Sequence, residues 1–80
     1  MAQHEIVSPL PGTFYRKPSP DAPPFVNEGD PVHTGDVIGL VEVMKTFNKI
    51  HADATGRVVR FLVENEGAVE AGQSLLVLEG

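Results

Sequence analysis

Among the side chains of this 80-residue sequence that could do chemistry, Lys45 is singled out by its place, since Met44-Lys45 falls at the seam of an internal repeat. A primary amine on a four-carbon stem can be acylated, and the product is a long, flexible tether. An ordinary lysine amine is protonated at neutral pH, so an enzyme that acylates it must first take the proton away. The other candidates are weaker. His4, His33 and His51 stand too far apart for a local metal motif, and with no cysteine a zinc site is not expected. Each reads as a surface or strand residue. Glu64, Glu66 and Glu70 read as a solvated edge. Neither a Gly-x-Ser-x-Gly elbow nor a phosphate-binding loop occurs, and no carboxylates are paired for acid–base work. The chain itself is not expected to be an enzyme.

Composition narrows what can present that amine. Residues 1–80 make one domain, which buries only about 60% of the surface its unfolded form exposes. Seven prolines and eight glycines punctuate the chain every few residues, which favours short strands joined by turns over long helices. Eleven acids against six bases give a net charge of −5. That balance speaks against nucleic acid and against anionic membranes as partners. Residues Met1–Glu5 lack a basic leader, and no apolar run reaches membrane-spanning length. A soluble, cytoplasmic protein is the expectation.

The lysine must be positioned by a repeat. Glu28 to Glu42 reads much like Glu66 to Glu79, with one extra residue between the two glycines of the first copy, 29 and 35 against 67 and 72. Upstream, Pro11-Gly12-Thr13-Phe14 parallels Thr55-Gly56-Arg57-Val58. Strands are predicted over Val37 to Val43, Arg57 to Val63 and Leu75 to Leu78, rich in β-branched and apolar residues. A short helix over Val37 to Met44 is the less favoured alternative. Glycines 29, 35, 56, 67 and 72 fall at run boundaries, where positive φ or a tight turn would need them. Two such halves predict an all-β domain with pseudo-two-fold symmetry. Met44-Lys45 then lies at the seam between copies, where the chain reverses, opposite the C-terminus. A tight hairpin would prefer Gly or Asn there, so only the repeat argues for the turn. Between Gly12 and Gly29 the first half carries a surplus, Lys17-Pro18-Ser19-Pro20-Asp21-Ala22-Pro23-Pro24, stiff and unfit for a central strand.

The run Glu42 to Phe47 resembles the motif of biotinyl domains, in the biotin/lipoyl-attachment family, whose Met-Lys pair sits at an exposed hairpin. Ser8 to Arg16 followed by Pro18-Ser19-Pro20-Asp21 resembles the carriers of bacterial acetyl-CoA carboxylase, in which a proline-rich "thumb" protrudes near the biotin. The likeness runs from about His4 to Glu79. It implies a flattened β-barrel, a barrel-sandwich hybrid of two four-stranded antiparallel sheets, with a thumb loop over about 17–25. It also implies covalent biotin on Lys45, with Met44 as a soft contact to biotin and to partner surfaces. Three partners are implied: a biotin protein ligase, a biotin carboxylase and a carboxyltransferase, the last converting acetyl-CoA to malonyl-CoA for fatty acid biosynthesis.

This sequence departs from the family at Val43 and Thr46, where Ala and Met are usual, which leaves another acyl-CoA open. Carriers of the acetyl-CoA type usually have a longer N-terminal region, and here few residues precede Ile6. Either a small stand-alone carrier or a different mode of assembly is expected. A lipoyl domain is the nearest rival, but that family usually has Asp before its lysine and Ala after it. An unmodified β-domain serving as a scaffold is the other.

Overall fold

The computed structural model describes residues 2–80. Eight strands follow one another: β1 (Gln3–Val7), β2 (Gly12–Tyr15), β3 (Pro31–Val32), β4 (Val37–Val43), β5 (Thr46–His51), β6 (Gly56–Phe61), β7 (Gly67–Val69) and β8 (Ser74–Glu79). They form two four-stranded antiparallel sheets, ordered β1-β8-β6-β3 and β5-β4-β2-β7. This is the flattened two-sheet architecture expected. The Val37 run is a strand throughout, and none of the described residues is helical. No helix is therefore long and apolar enough to cross a membrane.

Apolar side chains of both sheets meet in one core, and the inner strands β4 and β8 are each buried at four consecutive positions, residues 38–41 and 75–78. Phe14, Val32, Ile38, Val41, Leu75, Leu76 and Leu78 are almost wholly buried there, together with Ile6, Ile50 and Val58. Burial of each contributes about 1.5–3 kcal/mol. With no disulfide to help, this layer carries the fold.

The two halves obey one set of backbone bonds. Gly29 donates to Val58 O at 2.7 Å and Glu66 donates to Phe14 O at 2.7 Å. Gly35 donates to Ala52 O and Gly72 to Ser8 O; Ala52 donates to Asp36 O and Ser8 to Gln73 O. These pairs superpose β5-β4-β2-β7 on β1-β8-β6-β3, strand for strand. They also correct the alignment read from sequence. Glu66, not Gly67, is the counterpart of Gly29, because Glu66 (φ 68) and Gly29 (φ 92) take the same left-handed turn position, each six places before a glycine. The apparent extra residue disappears. Of the five boundary glycines, 29, 35 and 72 have positive φ, while 56 and 67 do not. Gly56 is instead needed for close approach: a Cβ there would lie 2.9 Å from Glu79 O.

Strand β6 starts at Gly56 and stops at Phe61, two residues short of the expected end. Leu62 still donates to Leu75 O at 2.8 Å before the chain turns at Asn65-Glu66. The surplus in the first half is the loop between β2 and β3, closed at its root by Phe25 N–H donating to Arg16 O at 3.0 Å. Val26 then returns the chain to the core.

Strands β1 and β8 close at Ala2 and Gly80, with Gly80 N–H donating to Ala2 O at 3.2 Å. Strand β1 runs from there towards Gly12, whose Cα lies beside Glu42 near the β4–β5 reversal. His4, near the start of β1, bonds Asp53 at 2.7 Å, past the far end of β5. The Ala2–Gly80 closure and the β4–β5 hairpin thus occupy opposite poles.

Candidate functional site

Strands β4 and β5 pair through Glu42↔Phe47 and Val43↔Thr46, leaving Met44 and Lys45 as a two-residue turn. Both are left-handed, with φ of 50° and 67°. This is the turn whose twist suits a two-residue hairpin, and it normally recruits Asn-Gly. A side chain in that conformation costs about 1–2 kcal/mol per residue. The turn is strained at the two positions the motif singles out. Met44 is 93% exposed, and Lys45 is exposed beside it. Among the described residues no ion pair holds the Lys45 amine.

The outer face of the β5-β4-β2-β7 sheet supports this tip. Tyr15, on β2, donates its hydroxyl to Glu42 Oε1 at 3.0 Å. Its ring meets that of Phe47 at 5.6 Å between centroids, tilted by 57°. The bond to Glu42 raises the Tyr15 hydroxyl above the ordinary tyrosine range, with desolvation and the Glu42 and Glu66 charges adding to the rise. Phe47 remains 56% exposed.

The β2–β3 loop is anchored next to this pair. Arg16 N–H donates to Asn65 Oδ1 at 2.7 Å, and its guanidinium lies 3.7 Å from the centre of the Phe61 ring. Its Nε is buried without a hydrogen-bond partner among the described residues, while the ring face stabilises the guanidinium charge. Tyr15 and Phe47, loop residues Lys17 to Pro20, and Asn65 and Glu66 enclose a cavity of about 100 Å³. Glu64 and Glu70 are exposed as expected, but Glu66 also lines this cavity.

The histidines do not converge. His4 faces Asp53, His51 bonds Gly35 O at 2.9 Å through Nδ1, and His33 lies 3.9 Å from Asp36. Among the described residues no three His, Cys, Asp or Glu side chains gather in a way that could hold a metal.

Sequence reasoning located the turn and missed its support. Tyr15 lies far from Glu42 and Phe47 in the chain, so no local pattern joins the three. One signal was available: the counterparts of Tyr15 and Phe47 in the other half are the Val59-Arg60 bulge and Gln3, so these aromatics break the repeat.

Comparison with known proteins gives the family and the fold. The family model described as "Biotin-requiring enzyme" matches residues 4–78. The biotin carboxyl carrier protein of acetyl-CoA carboxylase from Haemophilus influenzae is 44% identical over 79 residues, 99% of this chain and 51% of that protein. The protein of the same description from Chlamydia trachomatis is 47% identical over 70 residues, 88% of this chain and 43% of that one. The chain thus spans about half the length of the curated relatives it matches. Among solved structures, the urea carboxylase of Kluyveromyces lactis is similar at a TM-score of 0.78 and 28% identity, over 99% of this chain and 6% of that one. A single-chain, multi-domain long-chain acyl-CoA carboxylase is similar at 0.77 and 27%, over 94% of this chain and 7% of its own.

Proposed function

The chain belongs to the family of biotin-requiring enzymes, and from that premise we propose that it is a biotin carboxyl carrier domain with biotin joined to the Lys45 amine. The observation that carries this is the Met44-Lys45 turn, exposed, strained and without an ion pair among the described residues, at one pole of the two-sheet sandwich. The residues fit such a group. An amine on a flexible stem forms a stable amide, and an aromatic floor of Tyr15 and Phe47 lies beside the hairpin. When bound, biotin supplies a ureido ring that accepts a carboxyl group at a biotin carboxylase and yields it to an acyl-CoA at a carboxyltransferase.

The chain's own residues do the presenting. Lys45 is the nucleophile once a biotin protein ligase has taken its proton, and afterwards it is the tether. Met44 gives partner surfaces a soft, adaptable contact. The two sheets keep the tip in one geometry, so each partner meets the same shape. Carriage on a small domain raises the effective concentration of the group at two separate active sites. The proline-rich loop over about 17–25 takes the part of the thumb, next to the arm. The domain is a carrier and not itself a catalyst. Acetyl-CoA, converted to malonyl-CoA for fatty acid biosynthesis, is the substrate proposed for the assembled carboxylase, and a cytoplasmic location goes with that reading.

Intact-mass measurement after incubation with biotin, ATP and a biotin protein ligase tests the proposal. One biotin should be added to the wild-type chain and none to Lys45→Arg, with the melting temperature of the variant unchanged because an exposed turn residue packs against little. Uptake of lipoate in place of biotin, or biotin retained by the Arg variant, would count against it.

A further inference from the structure

Resting on that reading of Lys45, we infer that Tyr15 is a positioning residue for the reaction at the amine, holding the strained turn in the geometry that the acylating enzyme must meet. The last cross-strand pair before the turn-closing residues is Glu42↔Phe47. Tyr15 grips both members of it, Glu42 through its hydroxyl at 3.0 Å and Phe47 through ring contact at 5.6 Å. Its own strand lies inside the sheet, paired to β4 on one side and β7 on the other. The next residue, Arg16, is pinned by Asn65 and by the Phe61 ring. Tyr15 therefore connects the rigid part of the domain to a turn that has no glycine or asparagine to stabilise it.

The pseudo-symmetry supports a functional origin. At the other pole the corresponding pair is Glu79↔Gln3, and β6 offers the Val59-Arg60 bulge where Tyr15 stands in β2. The fold there needs no aromatic grip. Among the described residues, only the half that carries the lysine has one.

A turn that holds its competent geometry for only a fraction of the time raises the apparent KM by the inverse of that fraction and leaves kcat unchanged. Tyr15→Phe keeps the ring and removes the hydroxyl. With the full chain as varied substrate of a biotin protein ligase, its KM should rise about fivefold, the scale of one such hydrogen bond. In a Glu42→Ala background the same substitution should have no further effect, since the bond is already gone. Reaction of Lys45 with an acetyl N-hydroxysuccinimide ester, followed by peptide mass mapping, should proceed at the wild-type rate in all four proteins, because that reagent needs only an exposed amine. Should Tyr15→Phe fail to fold, Glu42→Ala breaks the same bond from its other end and must raise KM. A wild-type chain that takes up no biotin overturns the carrier reading and this inference with it. A labelled wild type with Tyr15→Phe within twofold in KM, or shifted equally in both backgrounds, overturns this inference alone.

Discussion

At the scale of single residues, the molecule accepts strain where it presents its amine. Met44 and Lys45 both sit at positive φ, in a turn built for Asn and Gly. Asn tolerates the left-handed region because its short polar side chain bonds locally, whereas Met gains nothing there. Met44→Asn should therefore stabilise the domain by about 0.5–1 kcal/mol, seen as a rise of several degrees in melting temperature. The same variant should be a poorer ligase substrate, as it loses the apolar contact beside the amine. A variant no more stable than wild type would show that the turn costs little. Tyr15 gives a second residue-scale expectation. Its folded pKa is raised above the ordinary value of 10.0, first by the bond to Glu42. Stability from that bond is fully present below the unfolded pKa and is lost as the pH climbs through the higher folded value. Chemical denaturation between pH 9 and 12 should show this loss in wild type and a flatter profile in Tyr15→Phe.

At the scale of elements, the two central strand pairs approach more closely than any side chain allows. A Cβ on Gly12 would meet Glu42 O at 2.2 Å, and one on the equivalent Gly56 would meet Glu79 O at 2.9 Å. Both obstacles are backbone, so the strands must move apart. Gly12→Ala should cost at least the 1–3 kcal/mol typical of overpacking, and more than Gly56→Ala, by urea denaturation. It should also disturb Glu42 and slow acylation, which Gly56→Ala should not. The elements themselves were largely legible. Apolar runs and the repeat predicted β4, β6 and β8, and the seam between copies predicted the reversal at 44–45. Three things were hidden. The turn at Met44-Lys45 carries neither Gly nor Asn, so no local signal marked the reversal. The left-handed position in the second half falls on Glu66, a residue rarely chosen for it, so glycine matching slipped by one place. The grip of Tyr15 on Glu42 and Phe47 joins positions 27 and more residues apart, which no local pattern reports.

At the scale of the whole domain, the dyad relates the lysine hairpin to the meeting of Ala2 and Gly80. Glu79↔Gln3 corresponds to Glu42↔Phe47, and the Gly80–Ala2 hydrogen bond to the closing pair Val43↔Thr46. Two residues inserted between Gly80 and Ala2, with Met1 removed, would complete a second hairpin of the same kind. Head-to-tail cyclisation through Asn-Gly should preserve the fold and stabilise it by about 2–4 kcal/mol, because the unfolded chain loses end-to-end freedom. Cyclisation through Met-Lys asks more. It sets a second amine on an equivalent backbone turn, flanked by Gln3 and the Val59-Arg60 bulge in place of Phe47 and Tyr15. If backbone geometry alone makes an acceptor, a biotin protein ligase should label both poles, and intact mass should show two biotins. If the aromatic grip is required, a single biotin should appear and peptide mapping should find it on Lys45. The second outcome is expected, since the fold supplies the turn twice but supports it once.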